Sequence, residues 1–402
     1  MNATASATSL PRSTLLLLAT IAGVAVANIY YNQPLLDDFR HSFPNEAHWV
    51  GLVPTATQLG YAFGMLFLAP LGDRYSRRSL IIILLLASAA ALAAAAAAPT
   101  LWALIAASLV VGIVATAAQQ AIPFAAELAP VEKRGAAVGM AMSGLLLGIL
   151  LARTVAGTVA EHAGWRWVYG AAVVVMLVLA AVSIRLPHRL PSVGLSYRQL
   201  LGSLAALFRR EPALRQAALT GASLFAAFSA FWSVLTLLLA EAPFHMGSQT
   251  AGLFGLVGAA GALAAPLAGK SADRRGPLAV VKLGIVLCAI SFVIFGLSAR
   301  SIVGLLLGVI VLDIGVQAAQ ISNQSLIYAL DPGARSRLNT VYMVCYFIGG
   351  SLGSALGSLA WRHAGWTGVC IVGLAASAVA GSSLLGFLRG QRGRALSSKD
   401  PS

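Results

Sequence analysis

The chain reads as an all-α membrane protein with twelve transmembrane helices in two pseudo-symmetric six-helix bundles. Three features of the sequence predict this: its apolar content, the spacing of its apolar runs and an internal repeat. Of its 402 residues, 58% are hydrophobic and 10% charged, and the mean hydropathy is +0.83. A soluble domain carries about 25% charged residues, so an ordinary soluble fold is excluded. A bilayer core of roughly 30 Å takes about 20 apolar residues per helix. Twelve such spans fit in the chain with short connections.

Charge and Pro/Gly punctuation mark the spans in order. Span 1 (14–33) follows Arg12 and stops at Pro34, and span 2 (49–69) stops at Pro70 and the charged loop after it. Span 3 (79–98) lies between Arg78 and Pro99, and span 4 (101–126) between Thr100 and Glu127. Span 5 (135–159) follows Lys133 and Arg134, and span 6 (166–186) runs from Trp165 to Pro187. A long polar interruption over 187–212, with Arg189, Arg198, Arg209 and Arg210, then separates a second set: spans 7 (214–240), 8 (250–269), 9 (279–298), 10 (301–327), 11 (338–360) and 12 (367–388). The expected organisation is an N-terminal bundle 1–186, a central loop 187–213, a C-terminal bundle 214–388 and a tail 389–402. Arg12 and the run ending Ala25-Val26-Ala27 also resemble a cleavable signal. Cleavage would leave an odd number of spans and reverse the side of every later loop, against the charge pattern.

That pattern sets the orientation. With the N-terminus inside, 22 of the 27 Lys and Arg fall in cytoplasmic loops or helix ends, four (Arg40, Arg166, Arg300, Arg362) fall outside, and Arg153 lies within a span. The positive-inside bias then places both termini in the cytoplasm. The net charge of +14 reflects basic loops beside anionic lipid rather than nucleic-acid binding. Cys288, Cys345 and Cys370 sit inside apolar segments without paired spacing, so no disulfide framework or metal site is expected.

The halves echo each other. The loop after span 2 contains Asp73-Arg74 and the loop after span 8 contains Asp273-Arg274, an offset of 200. Gly164-Trp165 recurs as Gly365-Trp366 at 201, and Pro130 as Pro332 at 202. Three matches in one order at nearly one spacing imply duplicated six-helix units. Parallel repeats of this kind are a transporter architecture with the binding site between the halves, near the midplane.

With these features the chain resembles the major facilitator superfamily over essentially its whole length. The loop after span 2 is similar to that family's G-x-L-A-D-R-x-G-R-R signature at Leu71, Asp73, Arg74, Arg77 and Arg78, and departs at Ala69, Gly72 and Ser76. The second copy supplies Gly269, Ala272 and Gly276. The segments 28–36, 322–324 and 336–342 look like a bacterial group near the drug:proton antiporters and sugar-efflux proteins. The resemblance implies a secondary transporter of the inner, cytoplasmic membrane working by alternating access, expected to export a small amphipathic or sugar-like solute (drug, sugar or metabolite) in exchange for protons. It also implies that Asp73, Arg74, Arg77, Arg78, Gly269, Asp273, Arg274 and Gly276 form a cytoplasmic gate that holds one state through charge and helix dipoles. Two family patterns are absent. Span 5 lacks the antiporter proline, with Ile149 after Gly148, and span 4 has Ser108, Val111 and Gly112 where many proton-coupled members have Arg, Gln and Gly.

Residues inside the spans carry the candidate chemistry. A charge at mid-bilayer costs roughly 2.5–3.5 kcal/mol on insertion scales, so it is paired or functional. Only Arg153 and Asp313 qualify. Asp313 is the expected proton carrier, and Arg153 its counter-ion or the anchor of an anionic substrate. Asp313, Gln317, Gln320 and Gln324 share a helix face at spacings of 4, 3 and 4. Such a stripe lines a wet cavity or bonds neighbouring helices. Further cavity candidates are Asn28, Tyr31 and Asn32 of span 1, one of Gln119 and Gln120 of span 4, Phe228 and Trp232 of span 7, and Tyr342 of span 11. Asp37 and Asp38 are expected in a solvated outer loop. The glycines of span 5 read as a helix-packing face.

Direct ATP use has no Walker-type G-x-x-x-x-G-K-S/T loop to support it, and no metalloprotease or Ser/His/Asp pattern lies in the spans, so an enzyme is not expected. The expected partners are a small-molecule substrate, protons and membrane lipid, with no nucleic acid, no cofactor and a monomeric chain. The alternative is an importer or uniporter of a small organic anion held by Arg153.

Overall fold

The computed structural model describes residues 11–130, 133–189, 196–258, 274, 276–331 and 333–397. These residues are predominantly helical and contain no strand. Among them, nine helices are long and apolar enough to cross a membrane. The twelve expected spans map onto these helices because two spans run together, one is shorter and one lies only partly within the described residues. Spans 11 and 12 form one helical run, Arg335–Ser397, broken at Gly365. Span 1 is Arg12–Ala27, and span 8 is described over Ser248–Val257.

The repeat has a backbone cause. Gly164 (φ 89°) and Gly365 (φ 56°) turn the chain between spans 5 and 6 and between spans 11 and 12. Positive φ at these corners favours glycine. The following tryptophans anchor the corners: Trp165 Nε1 donates to Ser42 Oγ at 2.9 Å, and Trp366 Nε1 to the Phe295 carbonyl at 2.9 Å. Packing repeats as well. Spans 1 and 5, 2 and 4, and 3 and 6 pair in the first half, as 7 and 11 and 9 and 12 do in the second. The halves meet where span 2 packs on span 11 and span 5 on span 8, two contacts related by the same repeat. Apolar side chains on the outer surface, such as Leu283, Val286, Ile290 and Val293 of span 9, are exposed at spacings of 3 and 4, as on a lipid-facing stripe.

The glycine face of span 5 serves two neighbours. A Cβ at Gly144 or Gly148 would overlap the backbone of Ala19 or Gly23 in span 1, and one at Gly157 would overlap Ser248 of span 8. Small residues thus bring backbones together both within a half and between halves.

The central polar interruption holds a helix that its arginines obscured. Tyr197–Arg210 starts with a capping box, Ser196 and Gln199 bonding each other's backbone. It buries Leu200 and Leu204 and leaves Arg198, Arg209 and Arg210 exposed. Tyr197 Oη donates to the Phe67 carbonyl at 2.9 Å and ties the helix to span 2.

Candidate functional site

A cavity of about 660 Å³ lies between the halves. Its deep end holds Tyr30, Arg153, Phe228 and Asp313, and it runs past Gln317, Gln320 and Gln324 to Asp73, Arg77 and Arg337 at the end bearing the basic loops. The opposite end is shut by bonds across the halves. Thr236 Oγ1 donates to the Gln33 carbonyl at 2.9 Å, and Thr154 Oγ1 to the Gly252 carbonyl at 3.0 Å. Ser248 Oγ donates to Asp38 Oδ2, and Arg40 pairs with Glu241 at 3.3 Å.

Arg153 is 4% exposed. Its guanidinium carbon lies 4.2 Å from the Trp232 ring centre, 4.8 Å from that of Tyr30 and 5.7 Å from that of Phe228. Cation–π contact of this kind stabilises a desolvated guanidinium. Its Nε donates to Gln33 Oε1 at 2.6 Å, while Nη2 is buried with no partner among the described residues. Asp313, 7% exposed on span 10, likewise has Oδ2 buried with no partner among the described residues. Among the described residues the two form no direct salt bridge.

The rest of the wall is aromatic and amide. Phe225 stacks on Tyr346 at 4.0 Å and on Phe228 at 5.5 Å. Tyr346 Oη donates to Gln320 Oε1 at 3.2 Å, Gln324 Nε2 to Asn339 Oδ1 at 3.2 Å, and Gln119 Nε2 to Tyr61 Oη at 3.1 Å.

Six of the residues expected in the cavity lie outside its lining. Asn28 donates to Met176 Sδ and Asn32 to Thr57 Oγ1, both away from the cavity. Tyr31 is displaced with them. The α-helix ends at Ala27 and turns lead into a 3-10 helix, Gln33–Leu35, so α-helical spacing does not carry past residue 27. Tyr30 faces the cavity and Gln33 holds Arg153 instead. Gln120 turns from Gln119 by one helical step and donates to the Leu68 and Ala69 carbonyls at 3.2 and 3.1 Å. Trp232 lies behind Arg153, and Tyr342 packs on Gly221 one turn from the cavity-lining Tyr346. Asp37 and Asp38 are not free in solvent: Asp37 pairs with Arg40 at 2.7 Å and Asp38 bonds Ser248.

In the loop after span 2, Arg77 gathers the bonds. It donates to Asp73 at 3.1 Å, Glu127 at 3.2 Å and Gln120 at 3.3 Å, all within the first half. A Cβ on Gly72 would overlap Gln120 Oε1, so the bonded geometry suits the glycine where the family pattern has alanine. Arg74 is exposed and Arg78 half-buried. In the second copy, Gly269 and Asp273 lie outside the described residues, Arg274 is exposed, and Gly276 has φ 84°. Sequence reasoning passed over Gln33, and the pair Tyr30/Gln33, three apart, was the available signal.

The sequence profile of the Major Facilitator Superfamily matches residues 14–354. The uncharacterized transporter YgaY of Escherichia coli O157:H7 is 43% identical over 360 residues, 89% of this chain and 91% of that protein. SCO4007 of Streptomyces coelicolor, also named as a transporter, is 37% identical over 359 residues, 89% of this chain and 83% of that protein. The fold is shared with an inward-facing, occupied bacterial homolog of the human lysosomal transporter Spinster, at a TM-score of 0.74 and 15% identity over 95% of this chain and 97% of that one. With a twelve-span helical architecture and a cavity between its halves, the chain belongs to the Major Facilitator Superfamily and is a multi-pass membrane transporter.

Proposed function

We infer that the chain exports a small solute across the inner membrane in exchange for protons, by alternating access, with Asp313 as the proton carrier. The observation that carries this is the cavity itself. It brings a buried acid of the second half and a buried base of the first to one space that is closed at one end by bonds across the halves. A buried ionisable pair of this kind in a membrane is a functional-site hypothesis in its own right. The bundles 1–186 and 214–388 are the moving bodies, joined by 187–213. The positive-inside count makes the basic end, with both termini and the tail 389–402, cytoplasmic. The cavity then faces the cytoplasm, ready to load solute for export. The chain works as a monomer surrounded by lipid.

The test uses inside-out vesicles with an imposed proton gradient. Solutes from a panel of dyes, sugars, nucleosides, amino acids and organic acids are added, and collapse of the gradient is recorded for wild type, Asp313→Asn and Arg153→Ala at matched expression. Collapse in wild type that is lost in Asp313→Asn supports the reading. Equal collapse in Asp313→Asn refutes the carrier role. The unpartnered Nη2 of Arg153 favours a second reading, a uniporter or importer of a small organic anion. Solute movement without any proton signal selects it.

A further inference from the structure

The acid and the base press on the same helix. A Cβ built on Gly255 would lie 3.1 Å from Arg153 Cβ, and one built on Gly258 would lie 3.3 Å from Asp313 Oδ2. Three residues apart, these glycines are on one face of span 8, separated by about 4.5 Å of rise. The two side chains therefore approach span 8 about one helical turn apart, both line the cavity, and among the described residues they form no direct salt bridge.

What each group leaves open is specific. Aromatic rings lie against the guanidinium, and Gln33 takes its Nε, so the Nη end remains for a ligand. That end offers a planar fork of donors suited to a carboxylate. The Asp313 carboxylate lines the same cavity, has no hydrogen-bond partner for its buried Oδ2 among the described residues, and is an acceptor suited to an ammonium. Beside both stands the aromatic wall of Phe225, Phe228 and Tyr346. A simple anion would satisfy Arg153 and leave the acid unpaired. A simple cation would do the reverse. A buried charge without its partner is costly, so a ligand carrying both signs fits this gap best.

We propose that the transported solute is an amino-acid-like zwitterion. Its carboxylate sits on the Nη end of Arg153, its ammonium on Asp313, and an aromatic or bulky apolar substituent on the wall of Phe225, Phe228 and Tyr346. This rests on the reading of Asp313 as the proton carrier and deepens it. The solute's ammonium and the proton compete for one carboxylate, which makes the exchange obligatory at that group.

The test is binding to the purified full chain in lipid nanodiscs by titration calorimetry, with four probes sharing one body: phenylalanine, phenethylamine, 3-phenylpropionate and phenylalanine amide. Phenylalanine is expected to bind wild type at least about tenfold tighter than any of the others, the loss of one charge-assisted contact. Arg153→Gln should weaken phenylalanine and 3-phenylpropionate but leave phenethylamine unchanged. Asp313→Asn should weaken phenylalanine and phenethylamine but leave 3-phenylpropionate unchanged. Each variant thus keeps one probe as its control for folding. Phenylalanine binding no tighter than its single-charge analogues, or not binding, overturns the proposal. If another solute still collapses the proton gradient in vesicles, the export reading survives that failure. The crossed binding pattern without a proton signal supports the zwitterion site and refutes the coupling.

Discussion

Alternating access requires the closed end to open, and Asp38 is where its lock can be tested. Asp38 lies beyond span 1, in the short helix Leu36–Ser42, and accepts a bond from Ser248 at the start of span 8 in the other half. Below the ordinary carboxyl value Asp38 is protonated, and its neutral hydrogen bond with Ser248 is worth about 0.5–1.5 kcal/mol net. The neighbouring pair Arg40–Glu241, with side chains 32% and 51% exposed, adds at most about 0.5 kcal/mol after solvent screening. At that pH Asp38→Ala should therefore shift the ratio of closed to open conformers about 2–12-fold toward open. Burial holds the Asp38 carboxyl above the ordinary value, partly offset by the Ser248 bond and reinforced by the nearby charges of Asp37 and Glu161, with His41 opposing them. An acid whose value is raised in the closed state binds its proton better there than in the hydrated, open state. Closure is thus favoured fully below the ordinary carboxyl value and loses that support as pH climbs through the raised one. Asp38→Asn keeps an oxygen for Ser248 without the charge, so it should stay closed and lose the pH response. Spin labels at Pro99→Cys and Arg300→Cys, exposed in opposite halves at this end, report the opening as a longer distance. The three native cysteines are replaced by alanine for this measurement. An unchanged distance distribution in Asp38→Ala, or a full pH response in Asp38→Asn, would refute the lock.

Three further outcomes follow from particular contacts. Arg77→Ala removes bonds to Asp73, Glu127 and Gln120; because the acids are half-exposed, stability should fall by only about 1 kcal/mol, while hydrogen exchange over residues 70–76 quickens. Gly148→Val, which would drive a side chain into the Gly23 backbone, should cost about 1–3 kcal/mol or more and lower the melting temperature, whereas Gly139→Ala, with nothing within 4 Å, should leave it unchanged. Thr100→Ala deletes the bond from the Ala103 amide at 3.2 Å that caps span 4 and should cost about 1 kcal/mol in the same melt.

The spans were legible because run length and charge punctuation are properties of composition, and the bilayer imposes them on the sequence. The Gly-Trp corners were legible because a positive-φ position strongly favours glycine, so the duplicated turn kept a visible mark. Side-chain facing was legible only where one uninterrupted α-helix carried the residues. On span 10, Gln317, Gln320 and Gln324 all line the cavity with Asp313, as a 3.6-residue period requires. On span 1 the helix stops at Ala27, and the same arithmetic selected Asn28, Tyr31 and Asn32 in place of Tyr30 and Gln33. Adjacent residues are also hard to separate by pattern. Gln119 and Gln120 differ by one step of about 100°, yet one lines the cavity and the other bonds the loop after span 2.

On the proposed reading, the substrate seat at Arg153 and the closing seam are one object. The sequence offered two readings of its segment, helix packing and ion binding, and both apply, on different atoms. Its backbone carbonyl faces Gly252 of the other half, while its Nε bonds Gln33, whose own carbonyl accepts from Thr236 across the seam. Opening the closed end separates Gly252 and Thr236 from these partners and so moves the frame that aims the Nη end at the cavity. A solute can shift an equilibrium between two states only by as much as its affinity differs between them. A ligand held jointly by Arg153 of one half and Asp313 of the other meets that condition, because the spacing of its two contacts changes whenever the halves rock. A solute held by one half alone would travel with that half and bias neither state. A variant with the two charges exchanged, Arg153→Asp with Asp313→Arg, therefore separates charge complementarity from geometry. It keeps one charge of each sign at the seam but moves the guanidinium to span 10, away from the Gln33 and aromatic frame that aims Arg153. Phenylalanine binding should fall at least about tenfold in this variant, and binding retained at wild-type strength would mean that the frame around Arg153 has no part in orienting the ligand.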